Sequence, residues 1–212
     1  MSKTSYHHGD LKNALIAAGI DILSQEGIQA LSLRKVAQRA GVSHAAPYAH
    51  YADKQALIAA IATEGYRRLY ETLRAIVERH AGDPLRQLAE AAWAYAQFAQ
   101  QDPAHFKITF SGVVEQQKQY PVFVEMSQQS FGVLVQIVAD CQAAGILKPG
   151  PPDLLAVSVW GLVHGMVSLL LEDQISHTIR DRFALREMLI FTLGQVARVE
   201  LTAAMFPSTS DE

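Results

Sequence analysis

Residues 32–51 read SLRKVAQRAGVSHAAPYAHY. Arg34, Lys35 and Arg39 stand in the first half and Ser43, His44, Tyr48 and His50 in the second, and Lys54 comes soon after, with no acid before Asp53. Guanidinium and ammonium groups neutralise phosphates, and hydroxyl, phenol and imidazole groups hydrogen-bond to them. That chemistry suits a polyanion, although a merely solvated basic face has the same composition. A second set lies further along: Trp93, Phe106, Phe110, Phe123, Trp160 and His164. Aromatic side chains line apolar ligand sites and fill ordinary cores equally well. Trp160 and His164 are four apart and share a helix face. An imidazole in so apolar a segment is either a core histidine with a partner or a polar group turned toward a ligand.

Catalysis has no comparable signature. The chain lacks G-x-S-x-G, H-E-x-x-H, a phosphate loop and a dinucleotide fingerprint. None of its eight histidines forms a ligand-spaced pair with another or with Cys141. The expectation is no enzyme, no metal and no cofactor.

The elements that must position these groups are helical, with no strand-length alternation. Leu11, Leu15, Ala18 and Ile22 make one apolar stripe, and Gly27 suits a helix end. Ser32 caps a short helix that stops at Gly41. A third helix is expected to begin after Ser43 and run to about Tyr51, joined to the second by the turn Gly41-Val42-Ser43; Val36, Ala37 and Ala40 offer a small apolar face and Val42 fills the turn. That is a helix-turn-helix layout. Asp53 opens a helix to about His80, roughly 40 Å long at 1.5 Å per residue. Asp83-Pro84 and Asp102-Pro103 each place a cap before a proline at the first helical position. Pro121 opens a helix ending near Gly145, and a last helix is expected from about Arg182 to Phe206. That last helix carries Phe183, Met188, Leu189, Phe191, Leu193, Val196, Val199, Leu201 and Met205, more apolar surface than one buried stripe needs. The surplus fits a second copy. The fold class is all-α, about nine helices.

Charge divides the chain. Residues 1–80 carry ten Lys/Arg and seven Asp/Glu, a net +3 against −3 for the whole, so the remainder carries −6. A basic front and an acidic back point to a polyanion-binding end and a different second half. The single cysteine fits a reducing cytoplasm. Residues 154–171, LLAVSVWGLVHGMVSLLL, reach the lower limit for a bilayer span. They contain Ser158, His164, Ser168 and two glycines, and acids flank them. The expectation is a helix buried on most sides, and no membrane.

Residues 6–70 resemble the N-terminal domain of the tetracycline-repressor (TetR) family. The resemblance rests on the opening helix, Gly27, the Ser32-Leu33-Arg34 helix start, the Gly41-Val42-Ser43 turn, Tyr48, and Asp53-Lys54 followed by Leu57. Trp160-Gly161-Leu162-Val163-His164-Gly165 is similar to the WHG signature of a subgroup. The resemblance implies a cytoplasmic, homodimeric regulator that binds double-stranded operator DNA and answers to a small molecule, most often as a repressor. It implies a helix-turn-helix domain over 1–54, a helical ligand-binding and dimerisation domain over 55–207, and a disordered tail, 208–212. Arg34 would meet phosphate or a base edge. His44, Ala45, Ala46, Ala49 and His50 would lie on or near the recognition face. Tyr48 and Lys54 would grip the backbone, and Ser43 would mainly cap. Trp93, Phe106, Phe110, Phe123, Trp160 and His164 would line the ligand site. His7 and His8 precede the first helix and stand near the DNA backbone or in solvent. Pro47 departs from the family, where a large apolar residue is commoner. It removes a helical hydrogen bond, so a short or distorted helix is expected, with readout leaning on His44, Arg34 and DNA shape.

Overall fold

The computed structural model describes residues 8–110 and 112–207, residues 8–10 by backbone alone. His7 and the tail Ser208–Glu212 lie outside the described residues. Among those residues there are nine α-helices, four short 3₁₀ turns and no strand beyond one isolated bridge. The chain divides after Tyr66, Gln101 and Ser127 into two compact units.

The first unit holds α1 (His8–Glu26), α2 (Leu33–Arg39), the 3₁₀ turn Ala46–Ala49, the first half of α3 (Lys54–Arg79), and α5 (Pro103–Phe110). The stripe Leu15, Ala18 and Ile22 is buried, and it packs with Leu31, Leu33, Val36, Leu57, Ile58, Ile61 and Ile108 into one core. Local caps set the starts. Ser32 Oγ accepts from the Lys35 amide at 3.2 Å, and Asp53 Oδ1 from the Ala56 amide at 2.8 Å. Asp102 Oδ1 accepts from the His105 amide at 3.3 Å, so α5 starts where Asp-Pro places it.

The second unit holds the rest of α3, α4 (Pro84–Gln101), most of α6 (Pro121–Ala143), α7 (Pro152–Leu171), α8 (His177–Arg180) and α9 (Leu185–Gly194). Asp83 Oδ1 caps α4 through the Arg86 amide at 3.0 Å. Helix α4 packs on α7 and α9, and α7 on α9.

Two expectations are overturned by these elements. The last helix ends at Gly194, not Phe206. The chain beyond it turns back and pairs with the segment after α6: Lys148 N–H donates to Val196 O at 3.0 Å and Arg198 N–H to Ile146 O at 2.7 Å. These bonds take the backbone groups that a continued helix would use. Helix α7 is not buried on most sides. It buries only Ala156, Val159, Val163 and Val167, spaced 3, 4, 4, and leaves Leu154, Val157, Leu162 and Leu169 exposed. By length and composition both α6 and α7 are apolar enough to cross a membrane.

Candidate nucleic-acid interface

Helix α2 buries Leu33, Val36 and Ala37. Its exit is tight: the Gly41 amide donates to Gln38 O at 3.2 Å and the Val42 amide to Ala37 O at 3.0 Å. Gly41 has φ +70°, a left-handed conformation open to glycine at no steric cost. The chain from Ser43 to Tyr51 does not form the expected α-helix. In an α-helix the Ser43 carbonyl would take the amide of residue 47, and proline has none. The Ala46 amide takes that carbonyl instead at 3.0 Å, three residues on, and the His50 amide bonds to Pro47 O at 2.9 Å. The segment is therefore a 3₁₀ turn, with Pro47 buried beneath it. Ser43 does not cap it, because the turn has no side-chain cap.

The turn presents Ser43, His44, Ala45, Tyr48 and Ala49 to solvent, with Ala46 and His50 half-buried, and Arg34 is exposed at the start of α2. Tyr48 is 61% exposed, which excludes a packing role within this chain. Lys54 is half-buried, and its Nζ donates to Ile28 O at 2.8 Å, leaving two of three N–H groups uncommitted.

Sequence reasoning missed how the other cations are used. Lys35 pairs with Glu26, and Arg39 pairs with Asp21 and Glu26, all on α1. Arg39 also donates to Gln25 Oε1 at 3.1 Å. These contacts tie α2 to α1 and withdraw two charges from the basic face. Arg34 makes no ion pair among the described residues. Arg34→Ala is therefore expected to weaken duplex binding and reduce its log–log salt slope by about 0.9. Lys35→Ala is expected to cost up to about 1 kcal/mol of stability with the salt slope unchanged. A salt series on a labelled duplex and urea unfolding measure both. Equal changes in slope would contradict the assignment.

The six aromatic and histidine candidates do not share one unit. Phe106, Phe110 and Phe123 fall in the first, where Phe106 and Phe123 are buried. Phe110 lies 4.8 Å from Phe106 and 5.3 Å from Tyr66, which also meets Phe123 at 5.6 Å, centroid to centroid. Trp93, Trp160 and His164 fall in the second. There Trp93 lies under the Arg186 guanidinium at 5.6 Å. The Trp160 Nε1–H donates to Tyr95 Oη at 3.0 Å, and Tyr95 Oη lies 2.8 Å from His164 Nδ1. His164 Nε2 lies 3.3 Å from Ser168 Oγ.

An indole can only donate. With Tyr95 Oη accepting from it, the phenol proton is free to go to Nδ1, and the remaining imidazole proton then faces Ser168. Both ring nitrogens of His164 are thereby satisfied. Burial lowers its pKa. Tyr95 and Ser168 were not among the site candidates from sequence: the bond to Tyr95 reaches 69 residues along the chain and leaves no local signal, whereas Ser168 stands four from His164 on the same helix face and could have been found by that spacing.

Tyr95→Phe removes the hydrogen bonds that its hydroxyl makes with Trp160 and His164, at a cost of about 1–3 kcal/mol, toward the lower end because both partners are only half-buried. The folded state holds the His164 proton less tightly than the unfolded chain does. Stability should therefore be full above the usual imidazole range and fall with pH through it. His164→Gln should remove that part of the pH dependence, and urea midpoints across a pH series test it.

Among the described residues an all-helical fold that begins with a helix-turn-helix unit, with Arg34 exposed on α2 and a hydroxyl-bearing turn beside it, has the layout of a DNA-binding transcription regulator. Family models match residues 15–61, as bacterial regulatory proteins of the tetR family, and residues 88–193, as a tetracyclin repressor-like C-terminal domain. The chain belongs to the TetR family, whose members are regulators and not enzymes. It is 30% identical to a protein of unknown function from Rhodococcus sp. RHA1, with TM-score 0.76 over 92% of this chain and 100% of that one. A TetR family transcription regulator from Marinobacter aquaeolei VT8 shares the fold at TM-score 0.67 and 19% identity, over 88% and 95% of the two chains. So does the protein of the SmeT–triclosan complex, at TM-score 0.66 and 18% identity, over 93% and 97%. The tetracycline repressor protein class A from transposon 1721 of Escherichia coli is 42% identical over 50 residues, 24% of this chain and 23% of that protein. The chain thus aligns with under a quarter of that curated relative's length.

Proposed function

We propose that this regulator is a repressor that holds operator DNA as a homodimer and lets go when a small molecule binds its C-terminal half. The reading places the DNA-binding region at 1–54 and the ligand and dimer region at 55–207, in the WHG subgroup, acting in the cytoplasm. The observation that carries it is the exposed surface of the 3₁₀ turn and of Arg34, with His44, Tyr48 and His50 turned outward or half outward. Ser43, Tyr48 and Lys54 hold phosphates. Ala45, Ala46 and Ala49 reach only methyl groups or backbone. Repression is supported by the name of the Escherichia coli relative, and a small-molecule effector by the triclosan-bound neighbour. An apolar or amphipathic effector suits the aromatic residues of the back half. Trp93, Trp160 and His164 are candidate contacts, as are Phe106, Phe110 and Phe123.

Dimerisation is supported by exposed apolar residues on two helices: Leu154, Val157, Leu162 and Leu169 on α7, and Phe191 on α9. Two helices from each copy make a four-helix contact. Release works through α3, which begins soon after the turn and continues to Arg79. Tilting α3 changes the spacing of two recognition turns that must meet half-sites about 34–36 Å apart. Coupling of this kind is typically about 1–3 kcal/mol, or roughly 5–150-fold, and is reciprocal.

The test is to sequence duplexes selected by the pure protein from a random pool. The expected product is a pseudo-palindrome bound by two copies. No enrichment, or one copy on the DNA, overturns the reading. Fluorescence of Trp93 and Trp160, the two tryptophans, then reports a candidate effector titrated with and without that duplex. An effector bound equally well in both cases cannot release the operator.

A further inference from the structure

We infer that DNA binding by this chain is proton-linked: His44 and His50 take up protons as the complex forms. The regulator then grips DNA more tightly as pH falls from about 8 to about 6, the window in which histidine changes charge. The inference rests on the proposed DNA-facing surface and deepens it.

That surface keeps little fixed charge. Of the cations on α2, Lys35 and Arg39 are paired with Asp21 and Glu26. Lys54, at the start of α3, gives one of its donors to Ile28 O. Arg34 is left, together with Lys12, exposed on α1. Two imidazoles stand on the turn itself. His44 is exposed, and His50 is half-buried with its ring centroid 6.2 Å from that of Tyr51. Among the described residues neither has a carboxylate within ion-pair distance. Protonating both would add two charges to the three of Arg34, Lys54 and Lys12.

The neighbouring elements bring groups of both signs. Helix α2 supplies Arg34, Lys35 and Arg39. The turn and its exit supply Tyr48, Tyr51 and Asp53, and α3 supplies Lys54. The loop before α6 supplies Glu115 and Tyr120. Asp53 uses one oxygen to cap α3. Burial, then Asp53 and Glu115, push the Tyr120 phenol above its usual range, so both acids bear on this flank of the unit. Charges of both signs thus stand round the turn, and among the described residues no carboxylate is paired with either histidine. A duplex changes that balance. It carries about one negative charge per 1.7 Å of axis, and an anion beside an imidazole favours its protonated form. Proton affinity is then higher in the complex than in the free protein. The added grip is present at low pH and lost as pH rises through the value in the complex. Each unit of raised proton affinity is worth up to about tenfold in binding per imidazole.

The experiment titrates the full chain with a random-sequence duplex, and with the selected duplex, at constant ionic strength across that pH range. Calorimetry in two buffers of different ionisation enthalpy counts protons. The expected result is tighter binding at lower pH, net proton uptake, and loss of both in the double variant His44→Gln, His50→Gln. A second double variant, His44→Lys, His50→Lys, keeps the charge at every pH and should bind with a flat profile. It and the wild-type proton count decide the matter if the glutamine pair fails to fold. Binding that is flat in pH with no proton uptake overturns the inference. So does a pH dependence that survives in both variants, which would put the protons elsewhere. Failure to bind either duplex at any pH would instead overturn the DNA-facing surface itself.

Discussion

Leu189→Glu is expected to unfold the second unit, whereas Phe191→Glu is expected to leave it folded and split the dimer. The two residues are two apart on α9, and at 3.6 residues per turn they point to opposite sides. Leu189 is fully buried and Phe191 is 73% exposed. A glutamate at 189 forfeits about 1.5–3 kcal/mol of apolar burial and puts a carboxyl where no partner waits. The total, about 4–5 kcal/mol, rivals the whole stability of a marginal domain, about 5–15 kcal/mol. Val196, 8% exposed, should behave like Leu189. At Phe191 the folded chain loses almost nothing, because that ring touches mostly solvent. A dimer resting on it loses an aromatic anchor worth about 2 kcal/mol or more, and two-fold symmetry applies the loss in both copies. Circular dichroism separates unfolding from dissociation, and sedimentation velocity gives the mass. A folded dimer of Leu189→Glu would contradict the core assignment. An intact dimer of Phe191→Glu would move the second copy to another face.

That pair of residues also shows where sequence stops informing. Both belong to one apolar run, and periodicity alone drew the run as a single helix to Phe206. The true end at Gly194 depends on Ile146, Lys148, Val196 and Arg198, about fifty residues apart in sequence. Local signals fared better. Ser32, Asp53, Asp83 and Asp102 cap the helices they precede, because a cap is a contact three residues long. Pro47 announces the distorted turn for the same reason: its missing amide affects only the residue four earlier. Charge was legible in sign and not in use. Arg34, Lys35 and Arg39 look alike along the chain, yet only Lys35 and Arg39 face the acids of α1. The six aromatic and histidine candidates were legible as types. Their division between two units, and the Tyr95 hydroxyl that joins Trp160 to His164, are set by tertiary packing.

Gly65→Ala is expected to destabilise the first unit, against its ordinary effect. Exchanging glycine for alanine inside a helix normally gains about 0.8–1 kcal/mol. Gly65 sits within α3 where α5 crosses it. A Cβ there would collide with Thr109 Oγ1 and lie 3.0 Å from Thr109 Cβ and Cγ2. Thr109 has little room to yield. It is 3% exposed, its χ1 is stiff because it is β-branched, and Oγ1 donates to His105 O at 2.8 Å. His105 in turn is fully buried, with Nε2 2.8 Å from Ile61 O, one turn before Gly65 on α3. The helices would have to part and stretch that bond. Overpacking costs about 1–3 kcal/mol, which exceeds the propensity gain. Gly65→Val should be worse, since it adds two methyl groups and loses helix propensity. Thr109→Ala removes Oγ1 and Cγ2 while leaving Cβ, so it should relieve part of the clash. The double variant should then be more stable than the sum of the single effects, with a coupling of about 0.5–3 kcal/mol. Urea unfolding of the four forms measures it. If Gly65→Ala instead stabilises by the full propensity increment, α3 and α5 are not in close contact at this point, and the packing assigned to Thr109 is wrong.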